Sequence, residues 1–397
     1  MRPAPRPTRL PGVDTARAVA VLGMFAAHAL PLLVLTSIGG AEPTFAGSVA
    51  SGRASVLFMV VAGLSLELFD RSLRARGVPA RRRALIYLRR VLALAALGLV
   101  TGLTNEGIAN ILVHYAMLFL LLPLTLFLPP VARWLLALGW LMVMPMLRVP
   151  LSTSLEGLRL DHNPNPTDLL DPARLSTDLW VTGYYPLLVW FGFGLLGMAL
   201  SSLPLRRPGA QLGLLAAGLL GAAASLAAGW WKVAGLGEEM QRLVPELSER
   251  LPAALVTGRY GAAVEDALGG HPVFAWLPMP HSNSLLFTLH AACCALAIIG
   301  FCLWLTPRLG WFGRALSAAG RAPLSLYVGH LLILPILLEL LPPTATWWVL
   351  VAGLLGTGAW LNYSGAQGPL EALLRWLSGV TRDAPGDAAA AERSARD

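Results

Sequence analysis

The sequence predicts an all-α integral membrane protein with about ten transmembrane helices and both termini in the cytoplasm. Three observations predict it: an excess of apolar residues, their grouping into runs long enough to cross a bilayer, and the alternation of basic and non-basic connections. Of 397 residues, 56% are hydrophobic and 13% charged, with a mean hydropathy of +0.63. Soluble domains carry about 25% charged residues. A soluble core cannot hide so much apolar surface, whereas hydrocarbon can.

Spanning takes roughly 17–25 mostly apolar residues. Ten stretches qualify: about 13–36, 48–69, 84–103, 107–128, 131–149, 181–201, 209–231, 284–305, 321–341 and 344–363. Such runs exceed any ordinary strand, so no sheet competes. The first resembles a secretory signal, with three Arg in residues 1–9 and the small-x-small triplet Ala27-His28-Ala29. Asp14 and Arg17 interrupt the would-be apolar core, and the run continues through Pro31 to Leu35. It reads as a retained first helix.

Orientation follows from the loops. RSLRARGVPARRR (71–83), Arg133, Arg206-Arg207 and Arg308/Arg314/Arg321 fall on one side, while 37–47 and 104–106 carry no basic residue. Basic loops stay cytoplasmic, which places both ends inside. The net charge of +8 thus marks topology and excludes nucleic acid as a partner. Cys293, Cys294 and Cys302 share one apolar run and offer no disulfide framework. Residues 1–380 read as one domain with outer loops at 150–180 and 232–283, and 381–397 as a disordered cytoplasmic tail. Within 238–268, Met240, Leu243, Val244, Leu247 and Leu251 recur at helical spacing, an amphipathic helix lying on the outer surface or packed beneath the loop. The stretch DHNPNPTDLLDP in loop 150–180 reads as irregular. No internal repeat of the kind found in many transporters is present.

Ionisable residues inside apolar runs are costly and are functional candidates. Asp14 and Arg17, three apart on one helical face, form an ion pair or leave Arg17 for an anion. Arg89 and Arg90, with Arg81-Arg82-Arg83, face the same compartment and suit phosphates of a nucleotide-bearing donor; the plainer reading is a topology signal. His28 lies fourteen residues beyond Asp14, about 21 Å along a helix. Arg53, His114, Tyr115, Tyr184, Tyr185, Asn283 and His290 collect at a similar outer level, with His330 nearer the midplane. A lone buried His is more often packing than chemistry, but several raise the odds that one acts as a proton acceptor. No metal site follows, because short ligand spacings are missing. Gly192-Phe-Gly194-Leu-Leu-Gly197 matches GxGxxG, yet no strand precedes it, so it reads as a helix-packing face.

RLPGVDTARAVAVLGMFAAHA (9–29) resembles the first helix of the membrane acyltransferase superfamily, which includes bacterial glycan O-acetyltransferases and heparan-α-glucosaminide N-acetyltransferases. Arg9, Asp14, Arg17 and His28 match the bacterial layout. Residues 52–69 resemble the second helix of heparan acetyltransferase-like bacterial members, and 320–330 and 368–379 resemble the closing segments of a bacterial branch. The resemblance implies a ten-helix bundle and an acyl-CoA donor, acetyl-CoA in the main, entering from the cytoplasm. It implies that Arg17 assists donor binding and that His28 is the catalytic base or acyl carrier. The heparan enzymes place their active His in the first luminal loop, and 37–47 holds none.

The expectation is therefore an acyltransferase of the bacterial plasma membrane acting on an envelope glycan or glycolipid. His28, Arg53, His114 and Tyr115 form its catalytic set, and Asp14, Arg17, Arg89 and Arg90 its donor site. Membrane lipids and a second copy of the chain are expected partners. A transporter or flippase of envelope precursors is the alternative; it predicts movement of substrate without covalent change. A non-catalytic scaffold is a third.

Overall fold

The computed structural model describes residues 9–35, 41–104, 108–234, 272–277 and 279–380. The chain is a helical bundle. Helix α1 (Pro11–Ala29) opens with proline in its first turn, where the missing N–H costs nothing, and carries Asp14 against the positive end of the helix dipole. It stops earlier than expected. Pro31 drives Leu30 into extended backbone (φ −99°, ψ 148°). Beyond it, in place of helix to residue 36, β1 (Leu33–Leu35) pairs antiparallel with β2 (Ala41–Pro43), a small sheet that the apolar runs did not announce.

After β2 come α2 (Phe45–Ala50), α3 (Arg53–Ala75), α4 (Ala80–Gly102), α5 (Leu112–Leu121), α6 (Pro130–Ser154), α7 (Pro172–Thr177), α8 (Leu187–Leu200) and α9 (Pro208–Ala234). The bundle closes with α10 (Leu285–Leu305), α11 (Gly310–Ala319), α12 (Pro323–Leu340), α13 (Pro343–Ser364) and α14 (Pro369–Ser378). Among the described residues, seven helices are long and apolar enough to span a bilayer, or eight if Pro172–Thr182 and Leu187–Leu200, bent by 55°, make one. The stretches expected at 13–36 and 107–128 are the shorter α1 and α5; Pro123 tightens the end of α5 into a 3-10 turn.

The sides of the bundle are apolar. Leu135 on α6 and Leu220 on α9 are 68% and 72% exposed, and Trp231 at the end of α9 is 77% exposed. Such a surface suits lipid flanked by interfacial Trp. The protein is a multi-pass membrane protein. Helices α3 and α8 approach through small residues. A Cβ on Gly63 would stand 2.0 Å from Gly194 O, and one on Gly197 only 1.9 Å from Val60 O. The GxGxxG segment is thus a packing face.

One end of the bundle is tied by two buried carboxylates. Glu67 takes Arg71 Nε at 3.0 Å and Arg133 Nη1 at 2.9 Å; Asp70 takes Arg83 Nε at 3.2 Å, Arg74, and the Tyr87 hydroxyl at 2.8 Å. Arg71 also donates to Ser201 O at 3.1 Å. The basic segments after α3, before α6 and after α8 therefore meet at one end. Removing Glu67 would leave the buried Arg133 without its carboxylate, whereas the arginines on Asp70 reach solvent.

At the other end, Arg148 of α6 donates to Val181 O at 3.0 Å and Ser282 O at 3.3 Å. Loop 150–180, expected to be irregular, is a series of short helical turns. Asn165 and Asp168 form a capping box for 166–170, and the Asp171 side chain caps α7. Asn165-Pro166 and Asp171-Pro172 each supply a cap and a first-turn proline, so the segment reads as starts of helices. The expected amphipathic helix (238–268) and the tail (381–397) lie outside the described residues.

Candidate active site

Helix α1 carries Arg17 and, eleven residues on, His28, a rise of about 16 Å. His28 Nδ1 stands 3.0 Å from Nε2 of His330 on α12, with the rings 12° from parallel. His330 is 2% exposed, and among the described residues no side chain partners its Nδ1. Phe25 and Tyr327 flank it at 4.8 and 5.1 Å between ring centres. One nitrogen of such a pair must donate and the other accept. When His28 donates through Nδ1, its Nε2 keeps a lone pair, which is the base-competent form.

A third imidazole approaches from the turn before α10. His281 is an electrostatic neighbour of His28. It sits at φ 60°, and Asn283 at φ 53°, a left-handed pair that L residues adopt at some cost. The turn is held by Asn283, which accepts from Trp190 Nε1 at 2.7 Å and donates to His281 O at 2.9 Å. Burial pushes the His281 imidazole down to about 4, and its Nδ1 is unpartnered. Its ring meets Tyr185 edge-on at 5.8 Å, and His114 of α5 meets the same tyrosine at 5.6 Å. Among the described residues, no side chain partners either nitrogen of His114. His114 also lines a polar cavity of about 320 Å³, together with Asn110, Asp161, Asn163, Tyr184 and Tyr185. Unpaired buried nitrogens are costly, and here several gather around one region.

The inner set is distinct. Asp14, 3% exposed, takes Arg9 Nε at 2.7 Å and also binds Arg17. Arg17 donates further to Ser65 and, at 3.4 Å, to Gly320 O. Arg90 lies 4.7 Å over the Phe69 ring with its Nε unpartnered. Arg17 and Arg90 both act on the Tyr115 hydroxyl, and Tyr115 packs against Phe58 and Phe119. Of the four residues expected at the donor site, Arg17 and Arg90 both neighbour Tyr115, Asp14 is the counter-ion of Arg17, and Arg89 is exposed beside Gly379.

The expected outer set is divided. His28 pairs with His330; His114 lines the polar cavity; Tyr115 belongs with the arginines. Arg53 leaves the group, its Nε donating to His290 Nε2 at 3.2 Å. His281 was missed. The signal was present in His281-Ser-Asn-Ser284, because Ser284 caps α10 by accepting from Phe287 N at 3.1 Å and so places His281 at the helix mouth. Glu67 and Asp70 were missed too. Among the described residues, no three His, Cys, Asp or Glu side chains converge as metal ligands would.

No curated protein and no solved structure matches the chain. The family model described as "Heparan-alpha-glucosaminide N-acetyltransferase, catalytic" matches residues 9–228, more than half of the sequence. The match contains Arg17, His28, Arg90, His114 and Tyr115 and ends before His281 and His330. A helical membrane bundle, a half-buried His on its first helix and this match agree: the chain belongs to the heparan-α-glucosaminide N-acetyltransferase catalytic family of membrane acetyltransferases.

Proposed function

We propose that the protein moves an acyl group, acetyl in the main, from cytoplasmic acyl-CoA to a glycan or glycolipid acceptor on the outer face of the bacterial plasma membrane, with both termini in the cytoplasm. The observation that carries the reading is the His28–His330 pair at 3.0 Å, bridging the first helix and α12. Arg17 and Arg90 form the inner cationic end, suited to the donor phosphates. The polar cavity beside His114 and Tyr185 is the acceptor's approach.

In the step proposed, the acceptor oxygen or nitrogen attacks the thioester carbonyl while His28 Nε2 takes its proton. The C–S bond breaks, and the thiol of CoA leaves with that proton. His330 accepts from His28 Nδ1, keeping Nε2 free and sharing the transient positive charge. Direct attack needs no acyl-imidazole; quenching the reaction and searching for acylated His28 by mass spectrometry separates the two routes.

The test is transfer of labelled acetyl from acetyl-CoA to envelope glycan by purified protein in vesicles. Wild type is expected to transfer and His28→Ala to fail. Transfer surviving in folded His28→Ala protein would refute the site. Movement of an unmodified precursor, indifferent to acetyl-CoA, would replace the reading with a transporter.

A further inference from the structure

We infer that the face of α1 opposite His28 binds one anionic phospholipid, its phosphate on Arg53 and one acyl chain in the adjoining cleft. This goes beyond the proposed transfer reaction and does not depend on it. The cleft has a volume of about 550 Å³ and runs along α1 from Val19 to Pro31, bounded by α2, the start of α3 and Trp347 of α13. At 1.5 Å per residue that is a length of roughly 16–18 Å, and the volume lies within the roughly 300–1,000 Å³ of small-molecule sites. Its lining is apolar apart from Arg53 and two threonines. Positions 19, 22, 23, 26 and 30 all fall more than about 100° around the helix from position 28. The cleft is therefore separate from the imidazole pair. It opens outward past Phe45 and Val49, which are 84% and 54% exposed, and on a bundle with lipid-facing sides that exit meets the bilayer.

Charge selects the occupant. Arg53 donates to His290 Nε2 at 3.2 Å and to Ser51 O at 3.3 Å, and it lies against Cys294. Because His290 accepts at Nε2, its proton sits on Nδ1, where Ala222 O at 3.2 Å can accept it. That ring is neutral. Among the described residues no carboxylate pairs with Arg53, so a cation stands uncompensated at the head of an apolar cleft, where an anion is the favourable partner. Arg53 is the first residue of α3, while Leu57 lies one turn deeper and Ile298 thirteen residues into α10. Head at the helix end and tail towards the middle is the arrangement of a phospholipid in the leaflet that meets the C-terminal end of α1.

The experiment is native mass spectrometry of the full-length protein in detergent, titrated with phosphatidylglycerol or phosphatidylcholine. One phosphatidylglycerol per chain is expected, held on the order of tenfold more tightly than phosphatidylcholine. Arg53→Gln is expected to erase the preference and Arg53→Lys to restore most of it. Ala46→Trp, which fills the cleft and keeps the cation, is expected to expel the lipid; it reads the cleft independently should Arg53→Gln fail to fold. Equal retention of the two lipids by wild type, undiminished phosphatidylglycerol in folded Arg53→Gln, or displacement by inorganic phosphate at the lipid's own concentration would each overturn the inference.

Discussion

Two histidines, one half-buried on α1 and one buried on α10, live differently. His290 of α10 is saturated: Nδ1 lies 3.0 Å from Ser225 Oγ and 3.2 Å from Ala222 O, and Nε2 accepts from Arg53. Among the described residues, the side chain that pairs with His28 of α1 is another imidazole, whose own second nitrogen has no side-chain partner. A histidine with every lone pair and proton engaged holds helices together. One left with spare capacity beside other such rings is available for proton transfer. Depth in the membrane cannot tell them apart; hydrogen-bond accounting does.

The comparison breaks most sharply at His28. His28→Ala is expected to lower acetyl transfer by about 10²- to 10⁴-fold, the usual worth of a positioned general base. His290→Ala should instead appear in thermal unfolding, as about 1–3 kcal/mol for the unsatisfied groups left behind. Labelled transfer and melting curves on both variants decide it. A His290→Ala protein with full heat stability and no turnover would erase the distinction.

His330 sharpens it. As a positioning residue it acts through His28, so His330→Gln should lower kcat by up to about 10²-fold while leaving KM for acetyl-CoA unmoved. The pH–rate profile should shift, because the titrating unit is the pair. An unchanged profile with a raised KM would assign His330 to binding.

Much of this arrangement was legible in the chain and some could not be. Apolar run length located the helices, and the absence of a strand before Gly192 correctly marked 192–197 as packing. Arg17 and Asp14 share a face by spacing alone, and they bind each other. The partner of His28 was hidden because 302 residues separate it from His330, and helix pairing within a membrane follows close packing of small residues more than periodicity. For the same reason Arg53 and His290 seemed separate, and the arginines after α3 looked like pure topology signals when Glu67 and Asp70 lie buried beneath them. The short α5 and the early end of α1 both trace to a proline inside an apolar run, a signal that hydropathy averaging dilutes.

Packing gives a smaller expected effect. Gly197→Ala places a Cβ against Val60 O and should cost about 1–3 kcal/mol, read as a lower melting temperature in detergent. Gly139→Ala on α6 meets nothing within 4 Å and should leave the melting temperature unchanged or slightly raised. Equal effects at the two sites would mean that α3 and α8 are not in the contact described.

The gentlest test concerns His281, the ring that joins the two tyrosines to the imidazole pair. Its native imidazole titrates near 4, against 6.5 for an unperturbed one, because burial disfavours the cation. Between these values the unfolded chain binds a proton that the folded chain refuses. Its contribution to stability is therefore complete above about pH 6.5 and lost as the pH falls through about 4. His281→Asn keeps a residue that tolerates the left-handed backbone and removes the titration. Melting temperatures of wild type and His281→Asn, taken between about pH 7 and pH 4, should converge as the solution is acidified. The His162–Asp168 pair is common to both proteins and cancels in the difference. Parallel curves would show that His281 titrates alike in the folded and unfolded chain, so that burial does not hold its imidazole neutral.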